Sequence, residues 1–256
     1  MKLTSQQVRF FRDTGYLRLP ELIDVDLTEE LSGFLQREES LSDPQVEKVY
    51  GLYQRDPELL GRLIRHEAIL SPLRSLLGES IVFLTNRHNC GMMHREMSND
   101  SLRMHRDVLQ WSRPIVTVLV YLEKSGVENG CTHVIPASHY APFVSSGERT
   151  GGTWMDEHEQ FADLFEQALP VPMRARSALV LDANVFHAPS LSSHRTRMTI
   201  ALAYRSIDEL DAHAERQRAV LVSGNYIYRG NDVAAPLRDV GRLASPKQRL
   251  DQGEIL

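Results

Sequence analysis

The sequence predicts a mainly β fold, a sandwich or barrel, with flanking helices. Three observations carry this. Helical periodicity is confined to roughly the first 78 residues. From residue 79 the chain breaks into short β-branched or alternating runs separated by turn residues, without the intervening helices of a βαβ protein. Hydrophobic content of 42% and charged content of 25% over 256 residues are those of a globular chain able to bury a sizeable core.

Each element has a local reason. Thr4 can cap a helix, with Gln7 three residues later completing a capping box, and Val8 and Phe11 then share a face until Gly15 stops it. "YLRLP" reads as a short strand. A second helix follows Asp26 through "LTEELSGFLQREE". Residues 57–77, "ELLGRLIRHEAILSPLRSLLG" and its neighbours, repeat apolar side chains at threes and fours and extend the helical flank. The strand candidates are "SIVFLTNRHN", "RPIVTVLVYLEK", "CTHVIPASH", "SALVLDANVFH" and "RTRMTIALAYRS". A helical insert, "DEHEQFADLFEQAL", separates two of them and ends at Pro170. The Gly-rich 145–155 stretch before it suits a lid. Beyond 206 the chain is polar and mixed, and "AVLVSGNYIYRG" suggests an extra strand pair. The economical organisation is one domain over 1–256: a helical flank 1–78, a β core of about 79–205 and a polar extension 206–256.

Bulk properties exclude several function classes. A net charge of −5 argues against a nucleic-acid binder and against electrostatic docking to anionic lipid. No apolar run approaches the roughly 18–20 residues that span a bilayer. The opening "MKLTSQQVRFFRDTGY" has no secretory apolar core, and two cysteines, Cys90 and Cys131, make no disulfide framework. A cytoplasmic protein with a small-molecule partner, no nucleic acid and no membrane is the expectation. The oligomeric state is not legible.

The chemistry centres on "SLRMHRDVLQW". His105 and Asp107 lie two apart, so on a strand they point the same way. Ten His and fifteen Asp in 256 residues give about 0.6 such pairs by composition alone, so context must decide. His187, at the end of another strand in "LVLDANVFHAPS", is the best third ligand. Two imidazoles and a carboxylate on one face of an octahedron leave three positions open, the arrangement of non-haem Fe(II) oxygenases. Ten residues on, Arg197 can make a forked contact to the far carboxylate of a metal-chelating 2-oxo acid. Arg195 shares its strand parity, so alternation does not separate the two. His139 reads as structural, and His88, His94, His133 and His194 as surface or hydrogen-bonded histidines. A kinase reading of "HRD" fails for want of a glycine-rich loop and an Asp-Phe-Gly.

At these residues the chain resembles the phytanoyl-CoA dioxygenase family of Fe(II)/2-oxoglutarate oxygenases. "HRD" at 105–107, "NGCTHVIPASH" at 129–139 and "HAPSLSSHRTRMTIALAY" at 187–204 carry the resemblance, with "FFRDTGYLRLPEL" near the start, so it covers most of residues 8–205. It implies a double-stranded β-helix core (jelly-roll, cupin-like), with His105, Asp107 and His187 on Fe(II), Arg197 on 2-oxoglutarate, and O2 as second co-substrate. "TNRHN" at 85–89 is similar to a segment of ectoine hydroxylase, which implies that Asn89 helps hold the co-substrate and places Trp111 near the substrate. Two departures stand out. Pro189 occupies a position that is often Ser in relatives, and "CGMMHREMSND" makes a longer loop before His105.

The implied reaction is hydroxylation of an unactivated C–H in a small metabolite or antibiotic intermediate, with 2-oxoglutarate decarboxylated to succinate and CO2. Desaturation, cyclisation and epimerisation are variants open to the same family. Related halogenases replace the carboxylate ligand with a small residue, and Asp107 speaks against that outcome. Arg87, Arg103, Trp111 and the 145–155 stretch are the expected selectivity elements. Overall acidity and few lysines do not favour a coenzyme A thioester. Two rivals remain: a cupin-like metal isomerase or hydrolase indifferent to loss of Arg197, and a non-catalytic metabolite-binding barrel that consumes no oxygen.

Overall fold

The computed structural model describes residues 2–40, 48–94, 103–108, 114–143, 154–189, 197–207 and 219–225. The chain opens with α1 (Ser5–Thr14), capped as its sequence requires. Thr4 Oγ1 accepts from the Gln7 N–H, Gln7 Oε1 accepts from the Thr4 N–H, and Gly15 closes the helix at φ 80°, a left-handed conformation that glycine adopts without a Cβ penalty. Strand β1 (Tyr16–Leu19) and α2 (Val25–Ser40) follow. Next come β2 (Lys48–Tyr50), the single turn α3 (Leu52–Arg55), α4 (Pro57–Ile64) and α5 (Glu67–Leu77). The helical stretch expected over 57–77 is therefore two helices. Asp56 and Pro57 start the first, and a turn at Arg65–His66 divides it from the second.

The β core comprises β3 (Ile81–Leu84), β4 (Cys90–His94), β5 (Ile115–Tyr121), β6 (Thr132–Val134), β7 (Leu169–Val171), β8 (Ser177–Asp182), β9 (His187–Pro189), β10 (Arg197–Ser206) and β11 (Ala219–Ser223). Among the described residues the larger sheet has eight strands, with β1, β8, β5 and β10 side by side. The free edge of β10 is shared by β4 at one end and β3 at the other. There β2 extends the sheet beyond β4, and β11 beyond β3. A smaller sheet runs β7-β6-β9. All described pairings are antiparallel. This is the jelly-roll core with flanking helices that the sequence implied. Its sheet runs past residue 205 to take in β11, the first part of the expected strand pair, whose second part lies outside the described residues.

The period-two alternation of the strands sorts side chains between two cores. Val116, Val118 and Val120 of β5, with Ile200, Leu202 and Tyr204 of β10, join the leucines of α2 and α4 in the helix-facing core. Leu119 and Tyr121, with Leu179 and Leu181 of β8, face the jelly-roll interior. β5 is buried on both faces, which is why its sequence reads as an apolar run interrupted only by Thr117. Gly91 lets α2 approach β4, since a Cβ there would sit 2.3 Å from Leu35 Cδ2. The insert after Trp154 forms 3-10 turns over Met155–Glu157 and Glu159–Gln167 and not an α-helix. Phe161 is its buried anchor, against Phe186 at 5.1 Å. No helix among the described residues is long and apolar enough to cross a membrane.

Candidate metal centre

Two strand-like segments meet backbone to backbone at the mouth of the jelly roll. The His105 N–H donates to the His187 carbonyl at 2.9 Å, and the His187 N–H donates to the His105 carbonyl at 2.8 Å. Two residues on, the Asp107 N–H donates to the Ala183 carbonyl at 2.8 Å. These bonds, with the i, i+2 spacing, bring together the three residues picked from the sequence. The ligand atoms of His105, Asp107 and His187 lie within 4.8 Å of one another. Asp107 Oδ1 stands 3.7 Å from His105 Nε2 and 3.8 Å from His187 Nε2. His187 Nδ1 lies 3.1 Å from the Val185 carbonyl, which fixes Nδ1 as the protonated nitrogen and leaves Nε2 a lone pair for metal. Two neutral imidazoles and one carboxylate suit Fe(II), so the residues present fit the ion that the sequence resemblance implies.

Asp107 is held at each of its acceptor atoms. Thr117 Oγ1 donates to Oδ2 at 2.7 Å, His88 Nε2 lies 2.9 Å from Oδ1, and Arg87 Nη1 donates to the backbone carbonyl at 2.8 Å. Burial of Asp107 works to raise its pKa, but the three histidines and the Thr117 hydroxyl more than offset it and the net shift is downward. Burial, reinforced by His187, lowers His105 to about 3 against the opposing pull of Asp107. Burial likewise lowers His88. The centre therefore presents an anionic carboxylate and unprotonated His105 near neutral pH, the states in which these groups bind metal.

The triad lines a cavity of about 90 Å³ that also takes in His88, Lys48, Arg197 and Thr199. Arg197 and Thr199 arrive through β10, whose odd positions face the interior. Arg197 is 1% exposed. Its Nη1 donates to Ser125 Oγ at 2.6 Å, while its Nε is buried with no partner among the described residues. Thr199 Oγ1 is likewise buried with no partner among the described residues. Burial lowers the Arg197 pKa, with Tyr121 and Cys131 opposing. The fork and the hydroxyl thus offer unused donors beside the metal-binding groups, as a carboxylate-bearing co-substrate requires.

The structure does not bring Asn89 into this cavity. His88, in the loop before β4, and Cys90, its first residue, line the cavity, whereas Asn89 between them does not. Its Oδ1 accepts from the Tyr53 N–H at 2.9 Å, and its Nδ2 donates to the Thr85 carbonyl at 3.0 Å. Arg87 braces Asp107 from behind. Arg103 pairs with Asp156 at 2.9 Å and lies 4.2 Å over the Trp154 ring. Trp154 in turn sits 5.0 Å from the His105 ring. Trp111, Arg195 and residues 145–153 of the expected 145–155 lid lie outside the described residues. His139 is structural as expected, its Nε2 2.9 Å from the Arg12 carbonyl at the end of α1.

Sequence reasoning passed over Lys48, His88, Thr117, Trp154 and Thr199. Thr117 was legible as the one polar side chain inside an apolar strand, and Thr199 as the residue two beyond Arg197. His88 had no partner at metal-ligand spacing because its partner, Asp107, is 19 residues away.

The phytanoyl-CoA dioxygenase family profile matches residues 11–199. Among curated protein sequences none matches the chain. Among solved structures it is similar to HygX from Streptomyces hygroscopicus with nickel and 2-oxoglutarate bound. There the identity is 21% and the TM-score 0.64, with 80% of this chain and 88% of that chain covered. It is also similar to the epimerase SnoN in complex with Fe3+, alpha ketoglutarate and nogalamycin RO, at 18% identity and TM-score 0.65, over 86% and 96% of the two chains. A third likeness is to SnoK, a non-heme alpha ketoglutarate dependent carbocyclase from nogalamycin biosynthesis, at 19% identity and TM-score 0.63, over 80% and 85%.

Proposed function

The chain belongs to the phytanoyl-CoA dioxygenase family, and from that premise we propose that it is an Fe(II)- and 2-oxoglutarate-dependent oxygenase acting on a C–H bond of a small natural-product scaffold. The observation that carries the reading is the pairing, in one cavity, of a two-histidine, one-carboxylate centre with the unsatisfied donors Arg197 Nε and Thr199 Oγ1. His105, Asp107 and His187 hold the metal. Arg197 takes the distal carboxylate of 2-oxoglutarate, and Thr199 supplies a hydroxyl that Pro189 cannot. When bound, iron supplies O2 activation coupled to the oxidative decarboxylation of 2-oxoglutarate to succinate and CO2.

The protein's own contribution is placement. Thr117 and Arg87 keep Asp107 in orientation, and the Val185 carbonyl sets the tautomer of His187. The apolar walls of the jelly roll exclude water from the co-substrate end of the cavity. Arg103, stacked on Trp154 beside His105, contributes to the substrate side of the mouth. Asn89 serves the site indirectly, by anchoring the loop that carries Arg87 and His88.

Several structural relatives act on antibiotic scaffolds: HygX has been seen with hygromycin B, and SnoN and SnoK come from nogalamycin biosynthesis. A substrate of that class fits an acidic surface better than a coenzyme A thioester does. Hydroxylation is the outcome we favour; epimerisation and ring closure use the same residues.

The test is succinate formation from 2-oxoglutarate under O2 with Fe(II) and ascorbate, alone and with a panel of aminoglycosides and aromatic polyketides. Slow basal succinate release, accelerated by one scaffold and absent in Asp107→Ala, is expected. Substrate turnover that proceeds without 2-oxoglutarate would overturn the reading.

A further inference from the structure

We propose that His88 is a positioning residue that holds the metal-facing oxygen of Asp107, so that the carboxylate binds metal through one oxygen only. The inference rests on the metal-centre reading above. Oδ1 is the oxygen within 4 Å of both His105 Nε2 and His187 Nε2, so it faces the metal. His88 Nε2 lies 2.9 Å from that same oxygen, while Thr117 Oγ1 occupies Oδ2 at 2.7 Å. An ionised carboxylate can only accept, so His88 Nε2 carries the proton and donates.

With one donor on each oxygen the carboxylate cannot rotate. One lone pair of Oδ1 is taken by His88 and the other is left for the metal. Oδ2 is turned away by Thr117. A freely rotating carboxylate would chelate through both oxygens and close one of the three positions that co-substrate and O2 need.

His88 is not itself a fourth ligand by this geometry. It falls outside the set whose ligand atoms all lie within 4.8 Å of one another, while ligands even on opposite sides of an ion bound at about 2.1 Å are only about 4.2 Å apart.

The backbone supports a dedicated role. His88 sits at φ 48°, a left-handed conformation that costs a non-glycine residue free energy and persists where its surroundings fix it. The surroundings here are explicit. Asn89 ties the loop to Thr85 and Tyr53, and Arg87 bonds the Asp107 carbonyl. Three consecutive residues thus anchor the loop, aim the carboxylate and brace its backbone.

The experiment is anaerobic Co(II) titration of the full chain, followed by the visible d–d absorption, on wild type, His88→Leu, His88→Gln and Asp107→Ala. Melting curves of the metal-free proteins check that each variant folds. Loss of an outer-shell partner typically weakens metal binding about 10–100-fold. The expected result is that His88→Leu weakens Co(II) binding by that factor and alters the band envelope. His88→Gln, which keeps an N–H donor, should restore both. A His88→Leu protein with wild-type affinity and spectrum overturns the proposal, as does a His88→Gln protein as impaired as His88→Leu, which would make His88 a ligand. If wild type binds Co(II) no better than Asp107→Ala, the metal-centre reading itself fails, an outcome distinct from either of these.

Discussion

Replacing Arg197 by Met should move stability in two opposite directions. The guanidinium is 1% exposed and bonded to the neutral Ser125 hydroxyl, with no carboxylate among the described residues paired to it. A charge kept buried without a counter-charge costs the metal-loaded, co-substrate-free protein free energy. Exchanging buried ionic groups for apolar ones of similar volume is commonly neutral or stabilising by about 1–4 kcal/mol. Taking the lower half of that range, about 1–2 kcal/mol, at about 2–4 °C per kcal/mol for a chain of this size, Arg197→Met raises the Tm of the ligand-free protein by about 2–8 °C. Added 2-oxoglutarate reverses the ranking. At a hundred times its Kd it stabilises wild type by about 2.7 kcal/mol, or about 5–11 °C. Removing one partner of a buried charge pair costs about 2–5 kcal/mol, a Kd increase of at least about 30-fold. The same concentration then contributes under about 0.9 kcal/mol to the variant. Thermal unfolding of the Ni(II)-loaded proteins, with and without 2-oxoglutarate, measures both effects without turnover. A variant that keeps the full 2-oxoglutarate shift would refute the assignment of Arg197.

Two further predictions concern stability. His105, held at about 3, and His88, also lowered, stay neutral in the fold while an unfolded chain protonates them below about pH 6.5. The unfolded state then binds more protons, so metal-free stability is flat above about pH 6.5 and falls as pH drops toward 4, by at most about 1.4 kcal/mol per pH unit for each histidine. Urea midpoints across that window check this, and a flat profile contradicts it. Arg106 is fully buried, donates to the Ala141 and Pro142 carbonyls at 3.2 and 2.9 Å, and stacks 4.5 Å from the Phe186 ring. Arg106→Ala should cost about 3 kcal/mol through unpaired carbonyls and lost packing, and Arg106→Lys should recover little because it lacks the fork. Denaturant midpoints measure both, and a loss below 1 kcal/mol for Arg106→Ala would count against that packing role.

Much of the fold and of the site was legible because period-two alternation is a local rule. It pointed His105 and Asp107 the same way, and it gave Arg195 and Arg197 the same parity without choosing between them. The α1 caps were equally local, since Thr4, Gln7 and Gly15 act within one turn of the residues they cap. What escaped depends on contacts distant in sequence. β4 has the sequence "CGMMH", with no β-branched residue, and is a strand because β10 and β2 pair with it on either side. The "TNRHN" segment was correctly marked as special, but the resemblance pointed to Asn89, whereas the loop before β4, with His88 at φ 48°, brings His88 to the cavity. The insert at 159–167 has helical periodicity but folds as 3-10 turns, a distinction that apolar spacing does not encode.

The central claim is that one cavity binds Fe(II) and 2-oxoglutarate together. The most direct measurement is anaerobic: Fe(II) and then 2-oxoglutarate are added to the metal-free protein, and the visible metal-to-ligand charge-transfer band is recorded. The account predicts that the band forms in wild type, is absent in His187→Ala and is weakened in Arg197→Ala at equal 2-oxoglutarate. Metal binding with no band at saturating 2-oxoglutarate would contradict it.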